Sequence, residues 1–320
     1  MKAQVSTTFL NFNMKKLLTT ILVCCASLAH SQETVTVYTP YSASHGGNAA
    51  FQRVVDKANQ SQSQYRFQFD LRPGAQGLIA LKTASENSEQ RLAIINAAFV
   101  DLVENNLVQE NDWKPVHAIG EACWAVITLG GNEFQGISSL KNMQEITVGT
   151  VGVGNVTHLT GLAIGERVGV PVRVVLFKSN YDALVNLVGN HGVNFAIERY
   201  SIVDQFREKN PNIKVMGMSC PTRYDNMNVA TLKEQGVNLP GVINIVMAHQ
   251  SMPAEKQAAI GRILDQATKD VGLKEIQHLS DMRSPVFDGV SAQQFYRSRI
   301  ESLKTLRKLY SKQIQDARGS

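Results

Sequence analysis

The sequence has no apolar run long enough to cross a bilayer as a helix. Its longest uncharged apolar stretch, residues 17–29, is thirteen residues, against about twenty for a span, so a multi-span membrane architecture is excluded. Cysteine is scarce, with four residues in 320, two of them adjacent at Cys24 and Cys25. No CxxC pair, HExxH, P-loop or GxSxG elbow occurs, which removes the commonest signatures of zinc sites, metalloproteases, nucleotide hydrolases and serine hydrolases. None of the seven histidines stands at metal-ligand spacing from another histidine, cysteine or acid. Charge is also limited, at 18% of residues against 43% hydrophobic; that balance excludes general disorder. The formal net charge is +5, but Lys2, Lys15 and Lys16 fall in an N-terminal region without acids. Beyond it 29 basic residues face 27 acidic ones. No clustered basic footprint for nucleic acid remains.

What is present begins with a leader. Lys15 and Lys16 precede the apolar stretch, which ends in Ala29-His30-Ser31. This is the pattern of a secretory signal peptide over 1–31, cleaved before Gln32, with Met1 and Met14 both candidate starts. The mature chain is expected to be periplasmic and to keep only Cys123 and Cys220.

The mature chain alternates strand and helix. Strands are expected over 34–39, 65–71, 92–95, 146–150, 172–177, 193–197, 213–218 and 242–248, with a long one within 116–129. Helices are expected over 49–59, 78–83, 156–167, 181–187, 254–270 and 292–312. Such alternation predicts an α/β protein with two lobes, each a mostly parallel sheet flanked by helices, and ligands in such sheets bind beyond the carboxyl ends of strands.

Two loops at such ends stand out. PYSASHGGN, residues 40–48, and GTVGVGNVTH, residues 149–158, each lead small residues into a helix start, where backbone N–H groups and the helix dipole favour an anion. Asn155 is a good N-cap. Singly, each loop is equally an ordinary glycine turn. A dinucleotide site is the rival reading of the second, but the next strand runs into Lys178 instead of an acid. Two such loops, one in each half, favour a small anion held between lobes.

At these loops the sequence resembles the extracytoplasmic solute receptors of tripartite tricarboxylate transporters, the Bug family of periplasmic binding proteins. RPGAQGLIALKTA at 72–84 is similar to the family's Arg-Pro-Gly-Ala-Gly-Gly segment and helix. WKPVHAIGE at 113–121 resembles the stretch leading into its inter-lobe strand. GTVGVGNVTHLTGLAIGERVGV at 149–170 resembles Gly-Ser-x-Gly-x-Gly-Ser-x-x-His. VVLFKSNYDALVNLVGNHGVNFAI at 174–197 and the segment from Lys214 continue the match over nearly the whole mature chain.

The resemblance implies a two-lobe periplasmic binding protein of the second topological type, with lobe I over 32–122 and 243–320 and lobe II over 123–242. It implies capture of a small carboxylate or related polar metabolite for membrane permease subunits, by a monomer, with no enzyme activity, cofactor or metal. An orphan receptor serving a signalling partner is the alternative. The binding loops map onto Tyr41, Ser42, Ser44, His45, Gly46, Gly47 and Asn48, and onto Arg72 and Gln76. In lobe II they map onto Gly152, Gly154, Asn155, Thr157 and His158, with Lys178, Ser179, Glu198 and Arg199 at strand ends. Arg72 is either a ligand contact or a brace of its own turn, and His158 a cap or a cleft wall. His45 and Glu198 suit an ammonium or hydroxyl as well as surface roles. The implied fold also favours a disulfide between Cys123 and Cys220, because the strand starting at Cys123 would lie antiparallel beside 213–218; two buried thiols are the alternative.

Overall fold

The computed structural model describes residues 32–319 except Ser42, Ser44, Pro221 and 224–227. The expected leader, with both candidate starts, lies outside the described residues. In chain order the strands are β1 Glu33–Thr39, β2 Tyr65–Leu71, β3 Arg91–Ile95, β4 Trp113–Ala122, β5 Trp124–Leu129, β6 Ile146–Thr150, β7 Val172–Leu176, β8 Ala196–Arg199, β9 Ile213–Met218, β10 Val242–His249 and β11 Met282–Arg283. The helices are α1 Gly46–Ser61, α2 Leu78–Glu86, α3 Ala98–Glu104, α4 Val156–Val168, α5 Asn180–Val188, α6 Tyr200–Lys209, α7 Ala254–Val271, α8 Leu273–Ser280, α9 Ala292–Leu309 and α10 Ser311–Gly319.

One lobe is built on a six-stranded sheet, β11-β4-β10-β3-β1-β2. The two-residue period of β1 sends Val35 and Val37 to one face, under Phe51 and Val54 of α1 and Ile260 and Leu264 of α7. Tyr38 leaves by the other, toward Leu81 of α2, Phe99 of α3 and Leu303 of α9. The second lobe has β8-β5-β9 and the pair β6-β7, joined by a parallel bridge between Val148 and Phe195. Ala125 and Ile127 of β5 face Leu184 of α5 and Val203 of α6. Val126 and Ile197 face the side covered by Ile164 of α4. β1 pairs parallel with β2 and β3, and β6 with β7, while β4, β5 and β10 pair only antiparallel. The six-stranded sheet is therefore mixed, β8-β5-β9 is wholly antiparallel and β6-β7 is parallel: the strands that run between the lobes enter against the parallel order that β–α alternation suggests.

The long strand expected within 116–129 is two strands that belong to different sheets, parted at Cys123. β10 returns beside it, Val242 pairing with Ala122. The buried Glu121 joins both crossings: one carboxylate oxygen accepts the Gly241 N–H, and the other accepts from Arg299 of α9 at 2.7 and 2.9 Å. Just beyond, Cys123 is bonded to Cys220, with Cα atoms 4.6 Å apart, inside the range a disulfide needs.

The closing helix expected over 292–312 ends at Leu309, and a further helix, Ser311–Gly319, follows Tyr310. These helices reach across to the second lobe, where Leu303, Tyr310 and Ile314 share a core with Leu159 and Leu162 of α4.

Candidate functional site

The two loops singled out in the sequence both approach the 72–77 turn. On the first lobe, α1 begins earlier than its pattern suggests, because His45 is its N-cap: His45 Nδ1 accepts the Gly47 N–H at 3.1 Å and His45 O accepts the Asn48 N–H at 2.9 Å. The Tyr41 ring stacks on His45 at 3.8 Å between centroids, with planes 5° apart. Tyr41 Oη donates to Asn244 Oδ1 of β10 at 2.5 Å, and burial raises its pKa. Thr39 Oγ1 donates to Asn48 Oδ1 at 2.7 Å. Burial, reinforced by the charge of Arg199, lowers the His45 pKa to about 4. The ring is therefore neutral at pH 7, as its role as acceptor requires. Ser42 and Ser44 lie outside the described residues.

The 72–77 turn connects the two sides. Arg72 pairs with Asp70 at 2.8 Å and lies over the Tyr38 ring at 5.5 Å, so it braces its own strand. Gln76 holds φ 57°, a left-handed conformation that favours glycine, at the place where the family motif has one. Its Nε2 lies 3.8 Å from where a Cβ on Gly152 would sit, and Pro40 lies 3.4 Å from the corresponding position on Gly77. Pro40 and Gly152 therefore each border the Gln76–Gly77 pair.

On the second lobe Asn155 caps α4, its Oδ1 accepting from His158 N at 3.0 Å and from the Thr150 and Thr157 hydroxyls at 2.8 Å each. His158 Nδ1 accepts the Gly154 N–H at 2.8 Å, and Gly154 O accepts from Arg307 of α9 at 2.5 Å. Much of the donor capacity expected at both helix starts is thus satisfied within the chain. His158 is buried, and its pKa is lowered to about 4 by desolvation and by Arg307. The unfolded chain therefore binds the extra proton between about pH 6.5 and 4. The contribution is complete above that window and is lost as pH falls through it. Replacing His158 by Asn keeps an acceptor but cannot titrate. Urea unfolding at pH 7 and 4.5 should show the parent protein losing about 2–3 kcal/mol more than His158→Asn; equal losses would refute this account.

At the remaining strand ends, Ser179 caps α5 through Asp182 N at 3.0 Å and Lys178 is exposed, with no hydrogen bond or ion pair joining either to the first-lobe loops among the described residues. Glu198 and Arg199 end β8. Glu198 is buried, its Oε1 accepts the Arg199 N–H at 2.6 Å, and desolvation raises its pKa. The Arg199 side chain is 19% exposed, and its nearest carboxylate, on Glu198, is 4.0 Å away. Its charge acts on His45 and on Asp281, both of the first lobe. Asp281 in turn accepts from Ser201 Oγ at 2.6 Å, across the lobe boundary. Burial raises the Asp281 pKa. Asn244, Ser201, Asp281 and Arg307 were not singled out in the sequence; they become neighbours of the site only when distant segments pack.

No group of three or more potential metal ligands occurs among the described residues. His117 has the makings of a catalytic triad, with Asp265 at 2.7 Å and Thr268 at 3.3 Å, but Thr268 is fully buried between β4 and α7 and offers no access to a substrate. Among the described residues no helix is long and apolar enough to cross a membrane.

No family model and no curated protein matches the chain. Solved structures do. A TctC solute binding protein from Polaromonas superposes with a TM-score of 0.71 at 15% identity, over 89% of this chain and 100% of that one. The periplasmic binding protein BugD gives 0.66 at 15% identity, over 88% and 98%. MatC from Rhodopseudomonas palustris, solved with bound malate, gives 0.64 at 14% identity, over 86% and 98%. The chain has the two-lobe fold of periplasmic binding proteins.

Proposed function

We propose that the chain is an extracytoplasmic solute-binding protein of the Bug type. In this reading it captures a small carboxylate or related polar metabolite in the periplasm and hands it to the permease subunits of a tripartite tricarboxylate-type transporter. It acts as a monomer without cofactor, and makes and breaks no bond. Lobe I comprises 32–122 and 243–320, lobe II 123–242, and the ligand lies between Tyr41, His45, Gln76, Gly152 and Arg199.

The observation that carries this reading is Arg199. Its guanidinium makes no hydrogen bond among the described residues, yet it is mostly buried at the seam of two lobes, opposite a neutral histidine. A planar cation held that way matches a carboxylate in geometry and charge. The solved structure with malate supports the same class.

The test is mass spectrometry of small molecules released from protein purified without denaturation, followed by calorimetry with the identified compound. A carboxylate binding one to one is the expected result. A panel of C3–C6 mono- and dicarboxylates, amino acids and neutral polar metabolites that leaves the melting temperature unchanged would reject the reading.

A further inference from the structure

The residue at the N-cap position of α6 is Arg199, and its side chain makes no capping hydrogen bond; a guanidinium only donates. The first N–H groups of a helix need acceptors, and here one comes from the other lobe. Asp281 Oδ2 accepts the Ser201 hydroxyl at 2.6 Å and the Ser201 N–H at 3.3 Å. That amide is the second of α6, one that a capping side chain ordinarily takes, and a carboxylate there also suits the helix dipole.

Asp281 is itself firmly mounted. It is buried and ends α8 in the left-handed region, at φ 55°. Its N–H donates to Gln277 O at 2.9 Å, and its carbonyl accepts the Cys123 N–H at 2.9 Å, beside the disulfide. The next residue, Met282, pairs with Ala122, and its Cε lies 3.1 Å from where a Cβ on Gly47 would sit, at the start of α1. One two-residue segment thus meets both the helix that follows His45 and the helix that follows Arg199.

We infer that Asp281 is a positioning residue: as the cap that the first lobe lends to α6, it fixes the backbone that carries Arg199 and so sets where the guanidinium stands. Glu198 holds the other side, its Oε1 accepting the Arg199 N–H at 2.6 Å. The main chain is clamped before and after the guanidinium-bearing residue, while the carboxylate nearest that guanidinium is 4.0 Å away. A fork set in advance loses less freedom when it takes a carboxylate. The inference deepens the functional reading above and rests on it.

The test is calorimetry on the otherwise intact protein, with the best binder among malate and the other C3–C6 carboxylates of the panel as the probe. Asp281→Gly removes the carboxylate and tolerates the left-handed backbone; it should weaken the probe about tenfold, the worth of one charged hydrogen bond. Asp281→Asn keeps an acceptor and loses the charge, so it should bind at least as well as the parent. That order separates positioning from electrostatics, because an acid that merely repels the ligand predicts tighter binding in both variants. Ser201→Ala, a milder change, should cost about threefold. Beside Arg199→Lys these losses should shrink, since Asp281 acts through the guanidinium fork, whereas a general loosening of the fold would leave them unchanged. Parent-like affinity in Asp281→Gly, or a loss that persists in full beside Arg199→Lys, would overturn the positioning role and leave the functional reading intact. Should Asp281→Gly not melt as a single transition, the same two outcomes read on Ser201→Ala decide. Failure of every carboxylate to bind the parent protein would overturn both.

Discussion

Replacing Cys123 and Cys220 together by alanine is expected to lower the free energy of unfolding by about 4–5 kcal/mol. The bridge joins residues 97 apart, and the denatured chain loses the entropy of closing that loop. Both positions are buried, so alanine leaves no unsatisfied polar group and the loss reports the cross-link with little else. Equilibrium denaturation of the oxidised parent and the double variant measures it. The melting temperature should fall by roughly 10 °C, whereas ligand affinity at low temperature should hold, because neither sulfur belongs to the proposed ligand site. A loss below about 1 kcal/mol would mean that the denatured chain already keeps these segments together.

Arg307→Met should be nearly as damaging, by about 3 kcal/mol. The guanidinium is 6% exposed and meets Gly154 O of the second lobe, Asp101 at 2.6 Å and Glu104 at 2.7 Å. Methionine fills much of the volume but leaves two carboxylates near each other and an orphaned carbonyl. Arg318, 2.8 Å from Asp101, limits the harm. Gly154→Val tests the same contact from the other side. Gly154 sits at φ +78°, and a Cβ there would fall 2.8 Å from Arg307 Nη1. The two substitutions should therefore combine to less than the sum of their separate losses. Full additivity in chemical denaturation would show that they act on independent contacts.

Much of the framework was legible in the sequence because period and punctuation agree there. β2, β6 and β9 carry the expected bounds, and α4 starts where Asn155 caps it. Three helices went unseen. α3 is seven residues, about two turns, and α6 and α8 follow strand or helix ends without a side-chain cap. The split at Cys123 was hidden because both flanking strands are apolar and only tertiary pairing assigns them to different sheets. The anion loops were legible as loops, but not that His45 and His158 would take up their amides: a histidine acting as acceptor depends on burial, which no spacing reveals.

The crossing strands have a kinematic consequence. β4 and β10 stay hydrogen-bonded up to Ala122 and Val242, and Glu121 ties the Gly241 amide to that same level. Two laddered strands bend out of their common plane far more readily than they shear or twist past one another. The crossing strands alone would leave a bend near Cys123 and Gly241, but the closing helices span the same boundary: Leu303, Tyr310 and Ile314 pack on Leu159 and Leu162, and Arg307 holds Gly154 O. Parting the lobes about that bend therefore requires that this shared core and its buried cation contact separate together, which couples any opening to the desolvated seam of the closing helices.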